Sequence, residues 1–117
     1  MNIYFISGHL DLTEEEFKKH YSSRIERAIA EGSSFIVGDA RGADKLAQQF
    51  LKSKTEKVTV YHMYTSPRNN AGFTTEGGFI SDSSRDRCMT ENSTDDIAWV
   101  KPGRENSGTA RNLARRK

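Results

Sequence analysis

The 117-residue chain has one cysteine, two prolines, one tryptophan and three histidines. The single cysteine, Cys88, excludes an internal disulfide and any multi-cysteine zinc site. It also makes a reducing, cytoplasmic setting the default expectation. His9, His20 and His62 show no spacing that suits a shared metal ion, so no metal and no cofactor is expected. No apolar run approaches the length of a membrane span. The first residues, Met1-Asn2-Ile3-Tyr4-Phe5-Ile6, lack the basic start and small-residue cleavage site of a signal peptide and read instead as a strand. A large charge of one sign is missing too. Eighteen Lys and Arg face sixteen Asp and Glu, a net charge of +2, whereas a charge-driven nucleic-acid binder usually carries a larger basic excess. With 34% hydrophobic residues and nine glycines, the apolar share falls slightly below the globular norm of roughly 45–50%. One domain spanning 1–117 with a modest core follows, and a second copy of the chain is the expected partner to complete it.

Short apolar runs alternate with helical periods. Residues 3–6 form a strand that ends at Ser7-Gly8-His9. Thr13-Glu14-Glu15-Glu16 is a capping box, and Phe17, Tyr21, Ile25, Ala28 and Ile29 recur at helical spacing up to Glu31-Gly32. Phe35-Ile36-Val37 is a second strand, ending at Gly38. A helix follows with Ala43, Leu46, Ala47, Phe50 and Leu51 on one face, then a third strand at 58–63. The segment from Tyr64 to Ser84, with Pro67, Gly72, Gly77 and Gly78, keeps no clear period and reads as a long loop. A helix over 81–92, a strand over 97–100 and a last helix over about 107–116 complete the chain. Such alternation predicts an α/β fold with a parallel sheet of four to five strands flanked by helices. Ligands of these sheets sit at the carboxyl ends of the strands, where this chain places small and polar residues at nearly every exit.

The segment Gly38-Asp39-Ala40-Arg41-Gly42-Ala43-Asp44 is the most distinctive. Two glycines at a strand-to-helix turn let backbone approach an anion, the next helix offers free N–H groups, and Arg41 suits phosphate. It is neither a P-loop nor a GxGxxG turn, and a plain tight turn with a solvated Arg fits the spacing equally well. Ser107-Gly108-Thr109 opens the last helix, either as a simple cap or as a phosphate cradle. Arg85 and Arg87 are surface charges or a cationic wall.

Together these segments resemble the SLOG superfamily, which includes the YspA/YpsA-like proteins, the DprA/Smf proteins and the Lonely Guy phosphoribohydrolases. Residues 38–44 are similar to its "GGxRGAD" segment. Arg85-Asp86-Arg87-Cys88-Met89 resembles the "RNxxM" segment of the YspA-like branch, and Asn106-Ser107-Gly108-Thr109 the "xSGT" or "GGxGT" turn, all in the family's order. The resemblance implies a Rossmann-like sheet that binds nucleotides or nucleotide-derived molecules. Ser7 and Gly8 would then border base or sugar, Gly38, Arg41 and Gly42 would line the cleft, Arg85 would contact phosphate or sugar, and Ser107, Gly108 and Thr109 would cradle phosphate.

Two departures bear on chemistry. Asn112 stands where the hydrolase branch has a Glu, and Asp39 where the family commonly has Gly. N-glycosidic cleavage develops oxocarbenium character that a carboxylate stabilises, which an Asn cannot do. Asp39 is either a ribose-binding or acid/base carboxylate or a turn residue bonding its own backbone. Phe73, Glu76 and Phe79 in the 64–84 segment are either part of a lid over the ligand or of a surface insertion, and a lid would make Glu76 a second candidate for the missing carboxylate. Three functions follow as expectations: a binder of nucleotide-type molecules for sensing or sequestration; a nucleoside 5′-monophosphate N-glycosidase; and a nucleic-acid binder of the DprA type using Arg111, Arg115, Arg116 and Lys117.

Overall fold

In a computed structural model of the chain, residues 2–116 are described. The β-branched and aromatic runs become strands β1 (Ile3–Ile6), β2 (Ser34–Gly38) and β3 (Val58–Met63), and β4 (Thr74–Phe79) and β5 (Asp95–Ile97) complete the sheet. All neighbours pair in parallel, in the order β4-β3-β2-β1-β5. Side chains alternate across the pleat, so each strand feeds two layers. Ile6, Val37 and Val60 face a large core, whereas Phe5, Ile36 and Tyr61 face a smaller one.

The large core is covered by α1 (Glu14–Phe17), a π-helical turn (Lys18–Ser22), α2 (Ser23–Ala30) and α3 (Ala43–Leu51). The predicted capping box starts this layer: the Glu16 N–H donates to Thr13 Oγ1 at 3.1 Å and the Thr13 N–H to Glu16 Oε1 at 3.0 Å. Two such bonds satisfy donors that the first turn otherwise leaves open, worth about 1 kcal/mol. The Phe17 and Tyr21 rings stack at 5.3 Å across the π-helical turn, and the buried Tyr21 hydroxyl donates to the Ser7 carbonyl at 2.7 Å. The smaller core is covered by α4 (Asp82–Glu91) through Met89, with α5 (Gly108–Arg116) lying beside α4. The result is α/β with helices on both faces of a five-stranded parallel sheet, a small Rossmann-like fold.

Two elements differ from the sequence reading. The 64–84 segment is not one loop or lid. Its first ten residues cross over from β3, Thr74–Phe79 pair with β3 as the edge strand β4, and α4 begins at Asp82 with Ser81 as its cap. The sequence hides β4 because Thr-Thr-Glu-Gly-Gly-Phe is exposed along most of its length and shows no apolar alternation; only its partner strand makes it a strand. Phe73 packs against the large core and Phe79 stacks on Tyr61, so neither is a lid aromatic. The last strand ends at Ile97 rather than running over 97–100. Leaving the sheet there lets the Trp99 ring stack on His20 at 3.8 Å and the Trp99 backbone N–H donate to the Tyr21 hydroxyl at 3.0 Å. The sheet thus has a fifth strand, and Trp99 is half-buried.

This topology positions the site. The chain steps from β1 to β2, β3 and β4 in one direction, then α4 carries it back to β5 on the other side of β1. The segments leaving β1 and β5 therefore lead to opposite layers, and a crevice opens between them.

Candidate functional site

A cleft of about 570 Å³ lies at this crevice. Ser7 and Gly8 line it from β1, Gly38 and Arg41 from β2, Arg85 from α4, and Ser107, Gly108 and Thr109 from the start of α5. Eight of the predicted ligand-binding residues thus share one cavity. Three others do not line it: Gly42, Asp39 and Glu76.

Gly42 borders a neighbouring groove. Its φ of +73° starts α3, and a Cβ there would lie 2.3 Å from the Leu10 carbonyl oxygen, so the position serves the turn rather than a ligand. Gly38 has another reason to be glycine. A Cβ at Gly38 would sit 2.5 Å from Asp44 Oδ2 and 3.2 Å from Arg85 Cζ, so its bareness makes room for a carboxylate and a guanidinium under the cleft floor.

Asp39 is 0% exposed and holds the wall together. It accepts from the Arg68 N–H at 2.7 Å, from Arg68 Nη2 at 2.8 Å and from Arg85 Nη1 at 2.9 Å. Burial opposes its charge, but the Arg68 hydrogen bonds and the two arginine charges outweigh that and keep the carboxyl below its ordinary range. Asp39 is therefore neither a free acid/base group nor a self-bonded turn residue; it ties the crossover after β3 to α4. Arg85 is likewise occupied. Its guanidinium contacts Asp39, Asp86 at 3.0 Å and Asp82 at 3.4 Å, so its charge is already balanced where a free phosphate ligand was expected. Glu76 sits on the exposed edge strand, outside the cleft, and cannot replace the missing Glu there.

Asp11, Asp44, Asp82 and Asp86, to which the sequence reading gave no role in the site, line the cleft instead, and two of them bear on its chemistry. Asp44, in the first turn of α3, is buried and accepts from the Ala40 N–H at 3.2 Å. Burial lifts its carboxyl from 3.8 to about 7; Asp86 and Asp39 push the same way, while Arg85 and the Ala40 N–H resist. The signal was present in the sequence, since Asp44 adjoins the core positions Ala43 and Ala47 on the buried side of α3. Asp86, on α4, accepts from Arg85 Nε at 3.1 Å and Nη2 at 3.0 Å, and from Asn112 Nδ2 at 3.2 Å. Thus Asn112 orients a carboxylate contributed by the neighbouring helix.

The opposite rim is the segment that joins β5 to α5. His9 accepts the Lys101 N–H on Nε2 at 3.0 Å, which assigns its proton to Nδ1. Burial first, and the Arg104 charge second, hold its pKa below 6.5. Arg104 grips Asp11 at 2.7 and 3.2 Å. These bonds bring the start of α5 to the cleft. Ser107 caps the helix by accepting the Ala110 N–H at 3.2 Å, as expected, while no described residue accepts from the N–H groups of Gly108 or Thr109. Across the cleft, the buried Ser7 Oγ has no hydrogen-bond partner. Among the described residues, no ion pair engages Arg41 or Arg111.

The basic carboxyl-terminal stretch turns mostly inward. Arg115 bonds Asn112, and Arg116 binds Asp96 at 2.7 Å together with Ser93. Lys117 lies outside the described residues. Among the described residues, no group of three His, Cys, Asp or Glu side chains is placed to hold a metal ion, and no helix is long and apolar enough to cross a membrane. No protein-family model, no curated protein and no solved structure matches the chain.

Proposed function

We propose that this chain is a SLOG-type protein that binds a nucleotide or nucleotide-derived molecule in the cleft, for sensing or sequestration. One observation carries the reading: Gly108 and Thr109, from whose N–H groups no described residue accepts, line the same cavity as Ser7 and Arg111, whose guanidinium is held by the Asn106 carbonyl and by no carboxylate among the described residues. A helix N-terminus concentrates partial positive charge, and Arg111 adds a full one, which together suit a phosphate. Asp44, kept protonated up to about pH 7, supplies a donor for a base or sugar acceptor.

The test is incubation with a panel of linear, cyclic and dinucleotide compounds, ultrafiltration, and chromatography of what the heat-denatured protein releases. Retention of one compound intact, abolished by Gly108→Asp, supports the binder. Retention of none, or retention indifferent to Gly108→Asp, rejects it.

A second reading, hydrolysis of the N-glycosidic bond of a nucleoside 5′-monophosphate, draws on Asp44 and Asp86 sharing the cleft. Carboxyl groups in such unlike surroundings are a usual acid/base arrangement. The C1′–N bond breaks with its electron pair leaving on the base, Asp44 protonates the base, and water adds at C1′ as Asp86 takes its proton. Release of free base and ribose 5-phosphate, lost in Asp86→Asn, supports it; release of intact ligand counts against it.

A further inference from the structure

The cleft does not end at Arg41. A second groove of about 380 Å³ adjoins it, and Leu10 and Arg41 line both. Beyond that shared ridge the groove is walled by Leu12 and Leu46 and flanked by Lys45 and Glu14. Leu10 is 53% exposed on the ridge, one of only three large hydrophobic side chains so exposed among the described residues. Arg41 and Lys45 form no ion pair among the described residues, whereas the other arginines lining the cleft, Arg111 apart, are matched by carboxylates.

The polar and apolar features therefore alternate along one path. First comes an anion position at the start of α5 with Arg111. Next is the cleft floor at Ser7, Gly38 and Asp44. A second cationic position follows at Arg41 and Lys45, and then a groove that sets the Leu12 and Leu46 walls beside Gln49 and the Glu14 carboxylate. A single mononucleotide uses the first two. We propose that the ligand is a 5′-phosphorylated dinucleotide, with its 5′-phosphate at α5, its first nucleoside in the cleft, its bridging phosphodiester at Arg41 and Lys45, and its second nucleoside in the groove. The apolar walls take the second base, and Glu14 is placed for a sugar hydroxyl, a common carboxylate task in nucleotide sites. This inference rests on the cleft being a nucleotide site, as proposed above.

The test is calorimetric titration of the full chain with AMP and with the 5′-phosphorylated adenine dinucleotide pApA. The dinucleotide should bind at least about tenfold more tightly, the gain expected from one further charge-assisted phosphate contact. Lys45→Glu and Leu10→Asp, both at exposed positions, should each bring the ratio of the two affinities down toward one, with circular dichroism unchanged. A wild-type ratio near one overturns the inference, and so does a ratio that neither substitution moves. If AMP binds and Gly108→Asp abolishes it while the ratio is one, the nucleotide cleft stands and only the dinucleotide assignment falls. If neither probe binds, the dinucleotide assignment falls, and retention of another nucleotide from the ultrafiltration panel decides the cleft.

Discussion

Asparagine at position 44 keeps the side chain's shape and an acceptor for the Ala40 N–H, but removes the charge that burial resists. In the folded protein the Asp44 carboxyl rises from 3.8 to about 7. At roughly 1.4 kcal/mol for each tenfold change, holding the anion in place costs about 4 kcal/mol. Below about pH 4 both folded and unfolded chains carry the proton, and the residue is neutral in its effect. Between about pH 4 and 7 the unfolded chain releases its proton while the folded chain keeps it, so stability falls as pH rises. Above about pH 7 the whole penalty stands. Asp44→Asn should therefore match the parent near pH 4 and exceed it by about 2–4 kcal/mol at pH 8, the lower figure allowing for relaxation around the anion. Urea unfolding read by fluorescence of Trp99, the one tryptophan, measures both proteins across this range. His9 titrates in the same window with the opposite sign, but it is common to both proteins and drops out of the difference. A difference that stays constant from pH 4 to 8, or a variant less stable than the parent at pH 8, would refute the assignment of Asp44 as a buried acid.

Gly38→Ala forces a Cβ to within 2.5 Å of Asp44 Oδ2; it should cost about 2 kcal/mol or more in urea unfolding and weaken whatever the cleft binds. Asp39→Asn leaves Arg85 buried with less compensation and frees Arg68, so a loss of about 3 kcal/mol is expected, with faster amide exchange at residues 64–73. An unchanged exchange pattern there would dismiss Asp39 as the tie to that crossover. His9 should make the protein less stable as pH falls below 6.5, because the unfolded chain takes up a proton that the folded imidazole, accepting from Lys101, resists. His9→Gln should lose that acid dependence in the same unfolding series, and retention of the slope would rule His9 out as its source.

Much of the fold was legible in the sequence for local reasons. The Thr13–Glu16 box, the Ser107 cap and the core periodicity of α2 and α3 depend on residues three or four positions apart, and each appears as read. The parallel arrangement followed from apolar runs separated by helical lengths. β4 was not legible, because an exposed strand of Thr, Glu and Gly carries no pattern of its own and exists only against β3.

The candidate site divides in the same way. The sequence alone determined which segments meet at the strand exits, since a βα turn must place Ser7, Gly38, Arg41 and Ser107 to Thr109 at the same end of a parallel sheet. It could not determine which charges remain free there. Asp39 and Arg85 stood out as chemical residues, yet folding joins them to each other across forty-six positions, and Asp39 to Arg68 and Arg85 to Asp86, which spends both. Asp44 closed the Gly38–Asp44 segment with no role of its own, yet burial at the floor of the cleft lifts its carboxyl to about 7. Asn112 read as a missing carboxylate, yet the helix beside it turns Asp86 toward it. Charge pairing and desolvation act through space over a few ångströms between residues distant in the chain, so only the tertiary structure decides them.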